Sequence, residues 1–166
     1  LGVEVKHHLP GVGENLQDHL TINLQQGLHG VGTFFEETRP LAMIGNIFKY
    51  FLKGVGLLAH PAAQVGVFFR TSDDVERPDA QIHFAPAASE PDSKGNLKPT
   101  RGTTATVCYL RPESRGSVHI RSKDATRPPA IHANYLDTEN DRNKIVAAFR
   151  KTREIFWAPA LDKYRG

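Results

Sequence analysis

The chain has one cysteine, one methionine and one tryptophan among its 166 residues. With Cys108 as the single cysteine, no disulfide can form within the chain, and a reducing, cytoplasmic location is the simplest expectation. Cys108 lies in an alternating apolar run, which predicts a buried strand residue rather than a nucleophile.

Long apolar runs and a strong excess of one charge are also missing. No run approaches the roughly 20 apolar residues that cross a bilayer, so no membrane span is predicted. The 21 Lys and Arg residues are interspersed with 18 Asp and Glu, and the formal net charge is only +3. This balance does not favour nucleic-acid binding.

The common signatures of metal and nucleophile chemistry are absent too. The eight histidines show no paired ligand spacing and no cysteine support, so no metal site is predicted. There is no GxSxG elbow, and Ser114 lies in a plain turn. Gly11-Val12-Gly13 matches the first half of a dinucleotide fingerprint, but position 16 is Leu and Pro10 interrupts the expected strand, so we reject that interpretation.

Alternation of apolar and polar residues predicts about six strands. They fall at Val3–Lys6, Leu20–Gln25, Val65–Arg70, Ala80–Ala85, Thr103–Leu110 and Ser117–Arg121. The last two are separated by a short turn-rich connector, which predicts a hairpin. Strands in such runs, without regular alternation with helices, predict an α+β fold with an antiparallel sheet backed by helices.

Two segments have helical periodicity. Pro40 to Lys53 is predicted to be a helix capped by Thr38 and stopped by Gly54. Its apolar stripe is Leu41, Ile44, Phe48, Phe51 and Leu52. We expect this stripe to pack in the core, with a membrane-surface role as the alternative. A second helix is predicted from Thr138, with a buried stripe of Ile145, Phe149, Thr152 and Phe156.

Three motifs resemble those of one family. Gly11 to His19 reads GVGENLQDH, Arg111 to Val118 reads RPESRGSV, and Pro129 to Tyr135 is similar to a PPxIxxNY element. Together, and in this order, they resemble the glucose-methanol-choline oxidoreductases, which are FAD-dependent enzymes that oxidise alcohols. The tail from Arg153 to Gly166 is most similar to the choline-dehydrogenase-like branch.

The resemblance implies that residues 20–166 form the substrate-binding domain, which covers the flavin, and that residues 1–19 link it to an FAD-binding domain. That domain, with its GxGxxG unit, is expected before Leu1, and the catalytic His is expected beyond Gly166. Both ends are therefore expected to be cut, and we predict no catalytic residue within the chain. In the whole enzyme, hydride would pass from an alcohol to FAD.

The resemblance also suggests site residues. Gln64 matches a position where choline-oxidising members carry Glu in an xExGxF element, of which Phe68 is the last residue. His83 matches a histidine that helps to bind the alcohol. Asn15 and His19 would lie near the cofactor. Purely structural roles remain open for all of these residues. Because Gln64 carries no charge, we expect the pocket to prefer a neutral alcohol to choline.

Two functions remain open at this stage. The chain is either the substrate-binding segment of an FAD-dependent alcohol dehydrogenase or oxidase, or a stand-alone binding domain without chemistry. As an isolated segment it is expected to bind no FAD and to be inactive. Exposed apolar surface from Phe34 and Phe35 and from the Val65 strand would favour self-association.

Overall fold

A computed structural model describes all residues from Leu1 to Gly166. The strands are β1 (Glu14–Leu16), β2 (Thr21–Gly27), β3 (Val65–Phe69), β4 (Ala80–Ala85), β5 (Ala88–Pro91), β6 (Leu97–Thr100), β7 (Gly102–Tyr109), β8 (Gly116–His119) and β9 (Ala130–His132). The α helices are α1 (Phe34–Glu37), α2 (Pro40–Lys53) and α3 (Glu139–Phe156), and two 3₁₀ helices span Leu57–Ala59 and Pro159–Tyr164. The α+β prediction is confirmed, but the strands form three antiparallel sheets rather than one.

The central sheet has the order β2-β7-β4-β3 and supplies most of the core. Its strands alternate, so that one face carries Ile82 of β4 and Val107 of β7, both buried. The helix α3 covers this face with Ala148 and Phe156. The opposite face carries mostly polar residues and is exposed at His83 and Phe68, whereas Cys108 on it is buried and α1 approaches Thr104 at its end.

A small second sheet of order β1-β8-β9 joins the three family-like motifs. Glu14 pairs with Ser117, and Ser117 pairs with His132. Gly116 permits this close approach, since a Cβ there would lie 2.0 Å from the carbonyl oxygen of His132. Gly13 has φ of 84° and would similarly collide with the backbone of Val118.

This second sheet corrects the predicted hairpin between Thr103–Leu110 and Ser117–Arg121. The strand β7 pairs with β2 and β4, whereas β8 pairs with β1 and β9. The connector is too irregular to keep both strands in one ladder, because its backbone at Glu113 and Ser114 is bound by Asp141 of α3. The predicted strand at Val3–Lys6 is also absent, since that segment is exposed and pairs with no strand.

The predicted bounds of α2 are confirmed, and Gly54 ends it in the left-handed conformation with φ of 66°. Its N-cap is Arg39, whereas Thr38 ends the preceding helix α1. The prediction that its stripe packs in the core is wrong: Leu41, Ile44, Phe48, Phe51 and Leu52 are all exposed. No helix in the structure combines the length and the apolar character needed to pass through a bilayer.

The predicted second helix is confirmed as α3. The Thr138 hydroxyl oxygen accepts a hydrogen bond from the backbone N–H of Asp141, as an N-cap does. Ile145, Thr152 and Phe156 of its predicted stripe are buried, and Phe149 is half-buried. The helix therefore contributes an entire side to the core.

Candidate functional site

The open face of the central sheet carries two of the sequence-predicted site residues. His83 of β4 pairs with Gly66 of β3, and Phe68 pairs with Gln81. Since Ile82 and Val67 point into the core, their neighbours His83 and Phe68 point to the opposite face. Both side chains are exposed, Phe68 to 58%. They are therefore available to a ligand or to another part of a larger protein.

Gln64 belongs to the same face. Its backbone N–H donates to the carbonyl oxygen of Phe84 at 3.0 Å, which continues the β3–β4 ladder by one residue. Alternation then places Gln64 on the side of Gly66 and Phe68. His83 thus faces a glycine and has Gln64 and Phe68 on its two diagonals, at a typical spacing of about 7–8 Å. The missing side chain at Gly66 leaves room beside the imidazole.

A strip of uncharged polar groups continues across the sheet from His83. His83 pairs with Thr106, which pairs with Asn23. The Thr106 hydroxyl donates to the Asn23 side-chain oxygen at 2.7 Å. Cys108 lies on this face further along β7, and burial raises the pKa of its thiol, which keeps it protonated. The strip offers hydrogen bonds but no fixed charge and no thiolate nucleophile.

Beside Gln64 is an open cleft of about 260 Å³. Its other lining residues come from α1, α2 and the first 3₁₀ helix with its flanks: Phe34, Glu37, Asn46, Lys49, Gly56, Leu57 and His60. Asn46, only 2% exposed, donates to the carboxylate of Glu37 at 2.8 Å and to its backbone oxygen at 3.1 Å. The cleft therefore contains one carboxylate, one ammonium, an imidazole and an aromatic ring.

Sequence reasoning did not find these cleft residues, since they lie up to 30 positions before Gln64 in the chain. One signal was available: Asn46 is the single amide side chain in the mainly apolar helix α2. Phe34 supplies an aromatic ring to the cleft from the start of α1.

The two residues predicted to lie near a cofactor are elsewhere, in the signature loop. Asn15 adopts the left-handed φ of 59° within β1. The Nε2 of His19 lies 3.1 Å from the carbonyl oxygen of Leu110, which can only accept, so this nitrogen carries the proton. Neither residue lines the cleft at Gln64. The contact of His19 fastens the loop to the end of β7.

Asp18 strengthens this attachment. Its carboxylate accepts hydrogen bonds from the hydroxyl of Tyr135 and from the backbone N–H of His19. These bonds, the one from Tyr135 foremost, lower the pKa of Asp18 and raise that of Tyr135. The signature loop and the PPxIxxNY segment are therefore held together by a side-chain contact as well as by the second sheet.

The RPESRG element is anchored by a buried carboxylate. Asp141 of α3, 3% exposed, accepts from the backbone N–H groups of Glu113 and Ser114 at 2.9 Å each and from the Ser114 hydroxyl. Burial acts to raise the pKa of Asp141, but these donors outweigh it and the pKa is lowered. The Ser114 oxygen also accepts from the backbone N–H of Asp137 at 3.0 Å. No histidine takes part, so the cluster is structural rather than a nucleophile with its base.

The helix termini of this chain do not fit the diphosphate of an FAD. Such a site needs a glycine turn between a strand and the N-terminus of a helix. The helix α3 begins with Glu139 and Asp141 in its first turn, and their charge would repel phosphate. The helix α2 follows α1 rather than a strand. No group of three or more His, Cys, Asp or Glu side chains is placed to hold a metal ion.

The comparison with known proteins agrees with the family resemblance of the three motifs. The model of the family described as GMC oxidoreductase matches residues 112–165. Over all 166 residues the chain is 39% identical to an oxygen-dependent choline dehydrogenase of Pectobacterium atrosepticum and 37% identical to one of Acinetobacter baumannii. The chain belongs to the GMC oxidoreductase family. It spans 30% of the length of each of these two relatives.

Two solved structures superpose on nearly the whole chain. A pyridoxine 4-oxidase from Mesorbium loti matches with a TM-score of 0.67 and 18% identity, over 99% of this chain and 28% of its own. An FAD-dependent oxidoreductase from Chaetomium thermophilum matches with a TM-score of 0.68 and 19% identity, over 99% and 34%. At this identity the likeness concerns the fold alone. It supports the sheet arrangement of this GMC segment.

Proposed function

We propose that this chain forms the alcohol-binding part of an FAD-dependent GMC oxidoreductase, a choline-like dehydrogenase or oxidase. The observation that carries the proposal is the open face of the central sheet, on which Gln64, Phe68 and His83 share one side around Gly66. A face with hydrogen-bonding groups and an exposed aromatic ring suits a small polar ligand bound between this sheet and a second domain.

The helix termini of this chain do not fit the diphosphate of FAD, so we assign flavin binding to a second domain. Residues 20–166 would form the substrate-binding domain, and residues 1–19 would lead to an FAD-binding domain that holds the diphosphate. Asn15 and His19 would lie near that boundary. Because this chain supplies no cradle for FAD, we expect the 166 residues alone to be colourless and inactive. A cytoplasmic location remains our expectation for the whole protein.

The substrate of the whole protein is proposed to be a neutral alcohol. A quaternary ammonium cannot donate hydrogen bonds and requires an aromatic cage, a carboxylate or both. Phe34 and Glu37 lie in the Gln64 cleft, but Glu37 is bound by Asn46 and Lys49 shares the cleft. These two opposite charges leave no net negative charge for a cation. The oxygen and amide of Gln64 can instead bind a hydroxyl.

The substrate proposal is tested with the whole protein as its gene encodes it. Specificity constants for choline and for primary aliphatic and aromatic alcohols are compared in the wild type and in Gln64→Glu. The Glu variant should gain about a hundredfold for choline relative to a neutral alcohol, the size expected for one partly buried charge pair. A matched control is Gln25→Glu, which adds a carboxylate to another exposed position of the same sheet.

Preference of the wild type for choline would contradict the neutral-alcohol proposal. Equal effects of the two Glu variants would show that Gln64 is not a selectivity position. The cofactor proposal has its own measurement: the visible spectrum and dye reduction of the 166-residue chain beside those of the whole protein. A whole protein without flavin would instead favour a stand-alone binding domain.

A further inference from the structure

Gly66 lies inside β3, an edge strand of the central sheet, where a glycine weakens the strand because it has no side chain to pack. The backbone does not require a glycine there, since the φ of Gly66 is not positive. Space does not require one either. A Cβ at Gly66 would meet only the ring of Phe68, at an ordinary contact distance of 3.9 Å. The fold of this chain therefore gives no reason for a glycine at this position.

Other strand glycines of the chain do have such a reason. At Gly102 a Cβ would lie 2.6 Å from the backbone oxygen of Gln26, and at Gly116 it would collide with that of His132. These glycines permit the close approach of two segments of the same chain. Nothing in the chain approaches Gly66 in this way. A group that uses the space at Gly66 would therefore come from outside these 166 residues, as a ligand near a strand glycine does.

The groups around Gly66 suit an alcohol with an apolar substituent. His83 pairs with Gly66 across the sheet, and Gln64 lies on the same side two residues before it. The imidazole and the amide can bind a hydroxyl, whereas the exposed ring of Phe68 offers an apolar surface. The strands β3 and β4 contain no Asp, Glu, Lys or Arg. A small ligand can thus place its polar end at His83 and its apolar end over Gly66.

We propose that Gly66 determines the size of the alcohol that the whole protein accepts. The space left by its missing side chain holds the apolar substituent next to the hydroxyl group, and Phe68 forms the adjoining wall. This inference rests on the alcohol-binding function proposed above, and it adds a residue that selects by size. The role of Gln64 is different, because its substitution is expected to change the preference between choline and neutral alcohols.

The test uses the whole protein as its gene encodes it, in the wild type and in the variants Gly66→Ala and Gly66→Val. Valine is favoured in strands and alanine fits the open space, so we expect the midpoint of thermal unfolding to be unchanged or raised. Each added carbon occupies part of the proposed space. For benzyl alcohol, kcat/KM should fall about tenfold in Gly66→Ala and about a hundredfold in Gly66→Val, whereas for ethanol it should change by less than about threefold.

A matched control is Gly27→Val. Gly27 is exposed at the end of β2, its φ is not positive, and a Cβ there meets nothing within 4 Å. The register and the usual strand spacing put it about 20 Å from Gly66 across the same sheet. This variant should keep the wild-type ratio of kcat/KM for the two alcohols.

An unchanged ratio of the two constants in Gly66→Val would overturn the proposal. Loss of bound flavin or a lower thermal midpoint in Gly66→Ala would also overturn it, because another part of the protein would then fill the space in place of the alcohol. Failure of the wild type to oxidise any alcohol would contradict the proposed function, and this inference with it. An active enzyme with an unchanged size preference would contradict the role of Gly66 alone.

Discussion

The two long helices of this chain, α2 and α3, are both amphipathic but have opposite surroundings. Phe156 of α3 is 4% exposed and packs on the central sheet, whereas Phe51 of α2 is 78% exposed. In α3 the apolar stripe is buried and the charged residues other than Asp141 and Lys144 face water. In α2 the buried residue is Asn46, and the apolar stripe faces water. Similar periodicity has thus produced one core helix and one helix that presents its apolar side.

The difference shows what helical periodicity encodes. Helical periodicity determines which side chains share a face, because 3.6 residues per turn fix their directions. It does not determine which part of the protein covers that face. For α3 the cover is the sheet that the same 166 residues build. For α2 nothing in the chain covers the face, and a partner outside the chain would have to supply the cover.

The largest expected effect tests this contrast directly. Phe156→Ala should lower the free energy of unfolding by about 4 kcal/mol, because it removes a buried ring from the core cluster. Phe48→Ala on α2 should change it by less than about 0.5 kcal/mol, as for other exposed positions. Urea denaturation of the two variants and the wild type measures both values. A large loss for Phe48→Ala would mean that the α2 face is packed in solution.

A second large effect is expected at the start of α3. Asp141→Ala leaves the N–H groups of Glu113 and Ser114 without their acceptor and should cost about 3 kcal/mol. Glu139→Ala, in the same first turn but exposed, should cost only about 0.5 kcal/mol through the helix dipole. Thermal and urea unfolding provide the comparison. Equal losses would contradict a special role for the buried carboxylate.

Gly45 inside α2 and Gly54, which caps its C-terminus, should respond to substitution in opposite directions. Gly54→Ala forces a side chain into the left-handed conformation and should destabilise by about 1 kcal/mol. Gly45 is inside the helix, and a Cβ there meets nothing within 4 Å. Gly45→Ala should therefore stabilise by about 0.5–1 kcal/mol. Chemical denaturation measures both signs, and a loss on Gly45→Ala would indicate a close contact at that position.

The smallest effect concerns acid stability near α1. Hydrogen bonds from Thr33, with one from Arg101, lower the pKa of Glu36 from 4.5 to about 2. The stabilisation is present above about pH 4.5 and is lost as the pH falls toward 2, because the folded state then has to protonate the bound carboxylate. Glu36→Gln should flatten this part of the stability profile. An unchanged slope between these pH values would show that Glu36 does not contribute to it.

Local signals predicted much of the fold. Propensity and capping chemistry predict the bounds of α2 at Pro40 and Lys53, the cap of α3 at Thr138 and the alternating strands. The partners of the strands did not follow. The strand β8 leaves the expected hairpin because Gly116 admits β9 closely and Asp141 binds the connector, and both contacts join residues distant in sequence.

The candidate site, too, was predictable from local sequence only in part. The family-like motifs pointed to Gln64, Phe68 and His83, and alternation placed His83 opposite the apolar face of its strand. The functional roles of these residues remain predictions. The cleft beside Gln64 could not be inferred, since Phe34, Glu37, Asn46 and Lys49 reach it from other elements.

By itself, the sequence determined α2, α3 and the strands of the central sheet, the side chains that share each of their faces and the family to which the chain belongs. These depend on backbone geometry and on motifs that are local in the chain. Only the tertiary structure decided which faces are covered. Burial requires a surface built by distant residues: α3 finds it in the central sheet, while α2 and the polar face at His83 remain open.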